Sequence, residues 1–331
     1  MGVQKQIAYV GLAKQAAKGA PAAAPTYGFG VLSGSLLDAG IAEDYEASTL
    51  GGGANDRFAP GVNRTAYAPV AKLGVRAYPR LLALLMYAAL GTNADSGAAP
   101  SFSHVATPGV DLPWLTMWAR YAGEIVQLVD VKVSELDVKW SERSPFEVDL
   151  SVAACDAALG AAAFVPTNDE VGQGYLSPIG GTFKYDPLAA GGGAVGRVKA
   201  GEIKVTNSLV AVNLSALSHP DDLVPSGQKV EGTLTVTPND LTDWRKILAG
   251  DAAGVTIRGT TPAIGSMSLL STLDANTSWR LDAARLAWMT DLPDADPKGG
   301  PADLALAFRA LRPGDGSAAV TATTKNSLAT V

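Results

Sequence analysis

The chain has 331 residues, 47% of them hydrophobic and 18% charged, so it can bury a real core and is not a disordered polypeptide. Its formal net charge of −6 excludes a protein that grips DNA tightly, because tight binding needs Lys and Arg to displace counterions; an acidic chain can still surround DNA without holding it. A single cysteine, Cys155, excludes an intrachain disulfide and reads as a small buried hydrophobe, and with only His104 and His219 beside it no Cys/His zinc site is expected.

Residues 1–30 read as an Ala/Gly/Pro-rich arm. As a secretion leader the segment fails, because the apolar run from Ile7 to Ala13 is short and is cut off by Lys14 and Lys18. A strand is expected over Gly34–Asp38, reaching Ile41. Residues 44–66 read as a long loop containing Gly51, Gly52 and Gly53. A second strand runs through Tyr67, Val70, Leu73 and Val75. Pro79 then opens a helix that Gly91 ends, and its residues Leu81, Leu82, Leu84, Leu85, Met86, Ala88 and Ala89 cover most sides, which marks it as buried. The apolar stretch Leu81–Leu90 is too short to cross a membrane.

After a Gly/Ala/Ser loop the sequence alternates. Val129, Val131 and Val133 share one face, with Asp130 and Lys132 on the other, and Leu136, Val138 and Trp140 continue the apolar set. Phe146, Val148, Leu150 and Val152 alternate with Glu147, Asp149 and Ser151. The spacing predicts a long antiparallel hairpin turning at Ser141–Pro145, with one wet face. Residues 156–200 read as a Gly/Ala-rich connection, with a short strand at Gly181–Tyr185.

The remainder repeats the order. Ile203 and Val205 lead into a strand through Leu214, and Gly232–Val236 forms another. Asn239 or Asp240 caps a helix with Leu241, Trp244, Ile247 and Leu248 on one face, and Gly250 ends it. A second hairpin pairs Leu281, Leu286 and Trp288 with Leu304, Leu306, Phe308 and Leu311 across a turn at Asp291–Pro301. Both parts thus read strand, loop, strand, helix, loop, hairpin, and Ser35-Leu-Leu resembles Ser208-Leu-Val, so a tandem duplication is expected.

Chemistry-bearing motifs are absent: there is no phosphate-cradling Gly-x-x-x-x-Gly-Lys-Ser/Thr and no Gly-x-Ser-x-Gly elbow. His219 lies in the turn sequence Ser-His-Pro-Asp. Asp291, Asp294 and Asp296 are spaced like half a calcium loop but lack the closing glutamate, so a solvated turn is expected there. No catalytic residue, cofactor or metal is expected, and the chain is not read as an enzyme. The competing readings are an exported β-rich surface-layer or adhesin-type assembly subunit and a hydrolase on a β scaffold.

The opening Val10-Gly-Leu-Ala-Lys-Gln-Ala-Ala-Lys-Gly-Ala-Pro-Ala-Ala resembles the start of tail tube proteins of actinobacteriophages and related siphophages, with Ala20 where their pattern has Thr. The strand Gly34-Ser-Leu-Leu-Asp, the Gly-rich loop, the helix ending in Leu90-Gly91 and the Leu112-Pro113 pair extend the likeness, which is most specific over residues 1–155. It implies a mainly β fold with two tandem tail-tube-type β-sandwich or barrel domains, 31–155 and 201–331, each with one short helix and a long hairpin feeding a ring-wide β-barrel. It implies stacked rings of three doubled subunits, or of six chains if the duplication is illusory, forming a tube in the virion tail that is assembled in the host cytoplasm. The arm and the 44–66 loop would reach the neighbouring ring and be dispensable for folding. Partners would be further copies, tail tip and terminator proteins, a tape measure protein in the lumen, and DNA passing without sequence-specific binding; no membrane is involved. Under this reading the wet faces of the hairpins supply candidate lumen residues: Asp130, Lys132, Glu135, Asp137, Glu147, Asp149, Asp282 and Arg285. Acids outnumber bases among them, which lets DNA slide.

Overall fold

The computed structural model describes residues 7–45, 62–121, 124–160, 169–188, 193–238, 240–257, 260, 262–290 and 303–331. The chain begins with β1 (Ile7–Lys14), β2 (Tyr27–Phe29) and β3 (Ser33–Asp38), followed by the small pair β4 (Ala42–Tyr45) and β5 (Val62–Ala66) and by β6 (Val70–Arg76). Helix α1 (Pro79–Leu90) leads into β7 (Gly91–Ala98), β8 (Ser101–Pro108), β9 (Leu115–Tyr121), β10 (Glu124–Trp140) and β11 (Glu147–Leu159). Then come β12 (Thr182–Asp186), β13 (Ala194–Val195), β14 (Val198–Val212), β15 (Asp222–Val236), α2 (Thr242–Ala249), β16 (Ala263–Asp274), β17 (Thr277–Thr290), β18 (Leu304–Ala310) and β19 (Thr321–Asn326). The fold is mainly β, and every strand except β4 and β5 belongs to one antiparallel system curled as a barrel around a shared core.

The strand pairings run in the same order twice. β1 bonds β2 and β9, as β12 bonds β13 and β16. β3 bonds β6 and β6 bonds β11, as β14 bonds β15 and β15 bonds β18. β9, β10 and β11 pair in sequence, as do β16, β17 and β18, with β19 completing the role of the far end of β11. The β7–β8 hairpin is extra to the first series, and β8 clasps β19 of the second. The two series are joined where β10 bonds β14, so that β3, β6, β11, β10, β14, β15, β18 and β17 form one eight-stranded run. The Ser-Leu-Leu and Ser-Leu-Val match falls out of register here: the stretch of β14 that occupies the place of β3 begins near Gly201, well before Ser208.

Strand β10 serves two neighbourhoods. Its first part lies between β9 and β11, and its last part between β14 and β11. Asp130, at φ 52, makes the bend. A second irregularity between Val133 and Glu135 inserts Ser134, whose hydroxyl donates to the Ser151 carbonyl at 3.0 Å. That extra residue reconciles an odd apolar set with an even one: Val131, Val133, Leu136 and Val138 lie opposite Ala154, Val152, Leu150 and Val148, and all eight are buried.

Helix α1 is buried on every side but Arg80, as its apolar girth requires. Pro79 occupies its first turn and Gly91, at φ 108, its C-cap, where a Cβ would lie 2.5 Å from the Asp111 carbonyl oxygen. The Asn207 amide donates to the carbonyls of Ala89 (2.9 Å) and Val133 (3.0 Å), and Gln228 donates to Ala89 at 2.9 Å, so residues of the second series satisfy the helix end of the first. Helix α2 is shorter and more exposed. Asp240 accepts the Thr242 N–H at 2.8 Å and Gly250 adopts the left-handed cap, yet only Ile247 and Ala249 are buried, and Trp244 is half-buried against the core.

Three expectations change. Residues 7–14 are not a free arm: Tyr9, Val10, Leu12 and Ala13 are buried, because β1 is inserted beside β9 and covered on both faces, which erases alternation from its sequence. The ends of the 44–66 loop are organised, with β4 and β5 pairing Tyr45 to Val62 and Asp44 to Asn63, while residues 46–61, including the glycine triplet, lie outside the described residues. The Gly/Ala/Ser stretch after α1 is the β7–β8 hairpin, held by His104, whose Nδ1 meets Asp95 at 2.6 Å and whose Nε2 meets the Asn326 side chain at 3.1 Å. Asn239, Asp291, Asp294 and Asp296 also lie outside the described residues.

Candidate functional site

The eight-stranded run turns one face to the core and presents charged side chains on the other. Register sets them in rows. One row crosses Arg76, Glu147, Lys139, Glu202 and Thr233 on consecutive strands. The next crosses Gly74, Asp149, Asp137, Lys204, Glu231 and Arg309, and a third crosses Lys72, Ser151, Glu135, Thr206 and Lys229. Lys139 Nζ donates to Asp149 at 3.0 Å and lies 2.9 Å from Asp137; Lys204 lies 2.9 Å from Glu135, and Lys229 lies 2.7 Å from Glu231. Cross-strand pairs of opposite charge favour this register, though each is worth only a few tenths of a kcal/mol where exposed.

Among the described residues, the bases Lys72, Arg76, Lys139, Lys204, Lys229 and Arg309 balance the acids Glu135, Asp137, Glu147, Asp149, Glu202 and Glu231. The face is therefore charge-balanced rather than acidic. Of these twelve residues the hairpin pattern in the sequence points only to Glu135, Asp137, Glu147 and Asp149 and misses Lys72, Arg76, Lys139, Glu202, Lys204, Lys229, Glu231 and Arg309. Their signal is present: polar residues alternate with apolar ones in Lys72-Leu-Gly-Val-Arg76 and Glu202-Ile-Lys-Val-Thr206.

The expected lumen residues divide into three groups. Glu135, Asp137, Glu147 and Asp149 meet on this face. Asp130 and Lys132 do not, and this corrects the expectation that they lie on a wet surface: they are buried where segments from elsewhere cover the bend in β10. The Asp130 carboxylate accepts the Gly19 N–H at 2.8 Å, and Lys132 donates to Asp111 at 2.7 Å with its ammonium 4.0 Å from the centre of the Trp114 ring. Asp282 and Arg285 lie apart from the rows: Asp282 is on the stretch of β17 between β16 and β19 and pairs with Arg280 at 2.7 Å, and Arg285, whose carbonyl accepts the Leu311 N–H just past β18, donates to the Arg312 carbonyl at 3.0 Å.

Asp137 is the electrostatic weak point. Its side chain is only 4% exposed, and burial, with the hydrogen bond its protonated carboxyl donates to the neighbouring Glu202 carboxylate, pushes its pKa up to about 6 against the opposing pull of Lys139. Asp137 and Asp149 in turn hold the Lys139 ammonium above its ordinary range. A carboxyl that binds its proton more tightly when folded stabilises the protein below the unfolded value of 3.8 relative to high pH, and that benefit is lost as pH rises through about 6. Asp137→Asn is therefore expected to raise stability at pH 7.5 by about 2 kcal/mol, with the gain shrinking toward zero near pH 4. Urea melts of both proteins from pH 4 to 8 check this; a gain that does not change with pH would be the wrong result.

Among the described residues no group of His, Cys, Asp and Glu is placed to hold a metal ion. Cys155 is buried, its thiol pushed up to about 12 chiefly by burial, and His219 packs in a turn against the Tyr67 ring. Among the described residues no helix is long and apolar enough to cross a membrane. What the geometry offers is a broad, charge-balanced β surface on a sheet whose first strand, β3, bonds only β6 among the described residues.

Residues 6–323 match the family described as phage tail tube protein. The chain belongs to that family. As a phage tail tube family member it is a structural component of the virion tail and not an enzyme. No curated protein was found to match it.

Proposed function

We propose that the chain polymerises as stacked rings into the hollow tube that conducts DNA from the capsid to the host cell, with the charge-balanced face of the eight-stranded run lining the channel. The observation that carries this reading is the continuous run itself: two equivalent series of strands joined side by side, with one face apolar and closed over the core and the other evenly charged. A channel wall of this kind suits DNA transit, since its six bases are interspersed with six acids and no cationic stripe is left to hold phosphates. In this reading residues 31–155 and 201–331 are two tail-tube units from a tandem duplication, linked by 156–200. Tail tip and terminator proteins cap the tube, and a tape measure protein occupies the lumen before DNA does.

Because one chain carries both units, the ring is a trimer. Closure depends on strand number and stagger, so three chains with two equivalent units each satisfy the geometry that six single units satisfy. Symmetry-free reconstruction of one ring from purified tubes is expected to show three chains, with Lys139, Lys204 and Asp149 facing the channel. Six chains around the ring would overturn the trimer, and a channel lined by the opposite face would overturn the lumen assignment.

A further inference from the structure

Where β10 meets β14, the register offers two sets of ion pairs, and the structure holds one of them. Asp137 lies directly opposite Lys204, and Lys139 directly opposite Glu202, so each lysine has an acid straight across the join. The lysines turn elsewhere. Lys204 reaches along the face to Glu135 at 2.9 Å, and Lys139 turns toward β11, bridging Asp149 at 3.0 Å and Asp137 at 2.9 Å. What meets across the join is therefore a pair of carboxyl groups, Asp137 and Glu202. Asp137 Oδ1 is buried and has no donor among the described residues. Two carboxyl groups in contact with no cation between them resist being ionised together, and a proton on Asp137 turns the contact into a hydrogen bond.

We infer that the β10–β14 join is a two-position ion-pair switch set by this proton: when Asp137 releases it to solvent, Lys204 swings from Glu135 to Asp137 and Lys139 swings from Asp149 to Glu202. Three features support the second position. Both lysines are partly exposed, so the change needs only side-chain rotation. Each stands between acids on both sides: Glu147 lies opposite Lys139 on β11, and Glu231 lies opposite Lys204 on β15. A new charge on one side therefore decides which way the lysine leans. That charge appears at a buried carboxylate, where pairing with a cation matters more than it does at the exposed Asp149 or the partly exposed Glu135. Asp137 holds its proton below pH about 6 and loses it above. The two positions present different charges. In the first, lysines neutralise Glu135 and Asp149; in the second, both carboxylates are left free on the face. In the channel reading, on which this consequence alone rests, the wall turns more acidic toward DNA as pH rises through about 6.

Structures of the unmodified protein on either side of that value, at about pH 5 and about pH 8, test this, as free chains or as tubes. Lys204 Nζ is expected beside Glu135 at the lower pH and beside Asp137 at the higher, with Lys139 moving from Asp149 to Glu202. The same pairs at both pH values overturn the switch and leave the tube reading standing. Chains that rewire but never assemble leave the switch standing and overturn the channel reading. Asp137→Asn, which carries no charge at any pH, is expected to keep Lys204 on Glu135 at the higher pH; a lysine that still moves in this variant overturns the role of the proton. The role of Glu202 is read from the carboxyl carbon of Asp137 by NMR. Its titration midpoint is expected to fall by about one pH unit or more in Glu202→Gln, and an unchanged midpoint overturns the carboxyl pair. If either variant fails to fold, the two structures of the unmodified protein decide.

Discussion

A chain lacking residues 2–24 is expected not to fold. That deletion removes β1, whose Tyr9, Val10, Leu12 and Ala13 are buried and whose backbone bonds β9 from Ile7 to Lys14 and β2 from Val10 to Leu12. Burial of each larger apolar side chain is worth roughly 1.5–3 kcal/mol, so the loss approaches the 5–15 kcal/mol net stability typical of a domain. The deletion also uncovers the edge of β9 and opens the core that Phe29 shares with the helix α1. It removes the Gly19 N–H that caps the buried Asp130 carboxylate as well, and an unsatisfied buried charge is costly. Circular dichroism and size exclusion should report unfolded or aggregated material. A soluble, cooperatively melting variant would show that β1 is an appendage after all, and would return residues 1–30 to the role of a dispensable inter-ring arm.

What the sequence made legible depended on periodicity. The two hairpins, β10–β11 and β17–β18, and the helix α1 were readable because their apolar residues recur at strand or helix spacing and their ends carry Pro79, Gly91 and the 141–145 turn. Strands β1, β7, β9 and β16 were not. β1 is covered on both faces, and β7 is built of Gly, Thr, Asn, Ala, Asp and Ser, so neither alternates. The candidate site was legible by halves. Glu135, Asp137, Glu147 and Asp149 follow from a single hairpin, but their counterparts Lys204, Glu231 and Lys72 are brought beside them by pairings between strands far apart in the chain, which no local pattern contains. Asp130 and Lys132 misled for a related reason: alternation marks two faces of a strand, and only tertiary structure decides that a bend will be covered by the segments around Gly19 and Asp111.

Trp279→Ala is expected to destabilise the protein by about 3–5 kcal/mol, whereas Trp244→Ala costs about 1–2 kcal/mol. The helix pattern alone points to Trp244, since it shares a face with Ile247 and Leu248. The structure reverses that ranking. Trp244 is half-buried at the rim of α2, but Trp279 is fully buried and packs edge-on against Phe146 at 5.5 Å. Phe146 in turn meets Trp140 at 5.3 Å, and Trp140 stacks on Phe183 at 5.7 Å. Two of these rings come from the first series of strands and two from the second, so the cluster fastens one series to the other. A cavity there removes the ring that Phe146 packs against, in a close-packed interior where lost contacts are only partly recovered. The same connection predicts the form of unfolding: the weakened variant should still melt in one transition, seen alike by tryptophan fluorescence and by far-ultraviolet circular dichroism, since both series share one core. Two separated transitions would show that the series are energetically independent domains, and a loss at Trp244 as large as that at Trp279 would mean that α2 is packed as tightly as α1.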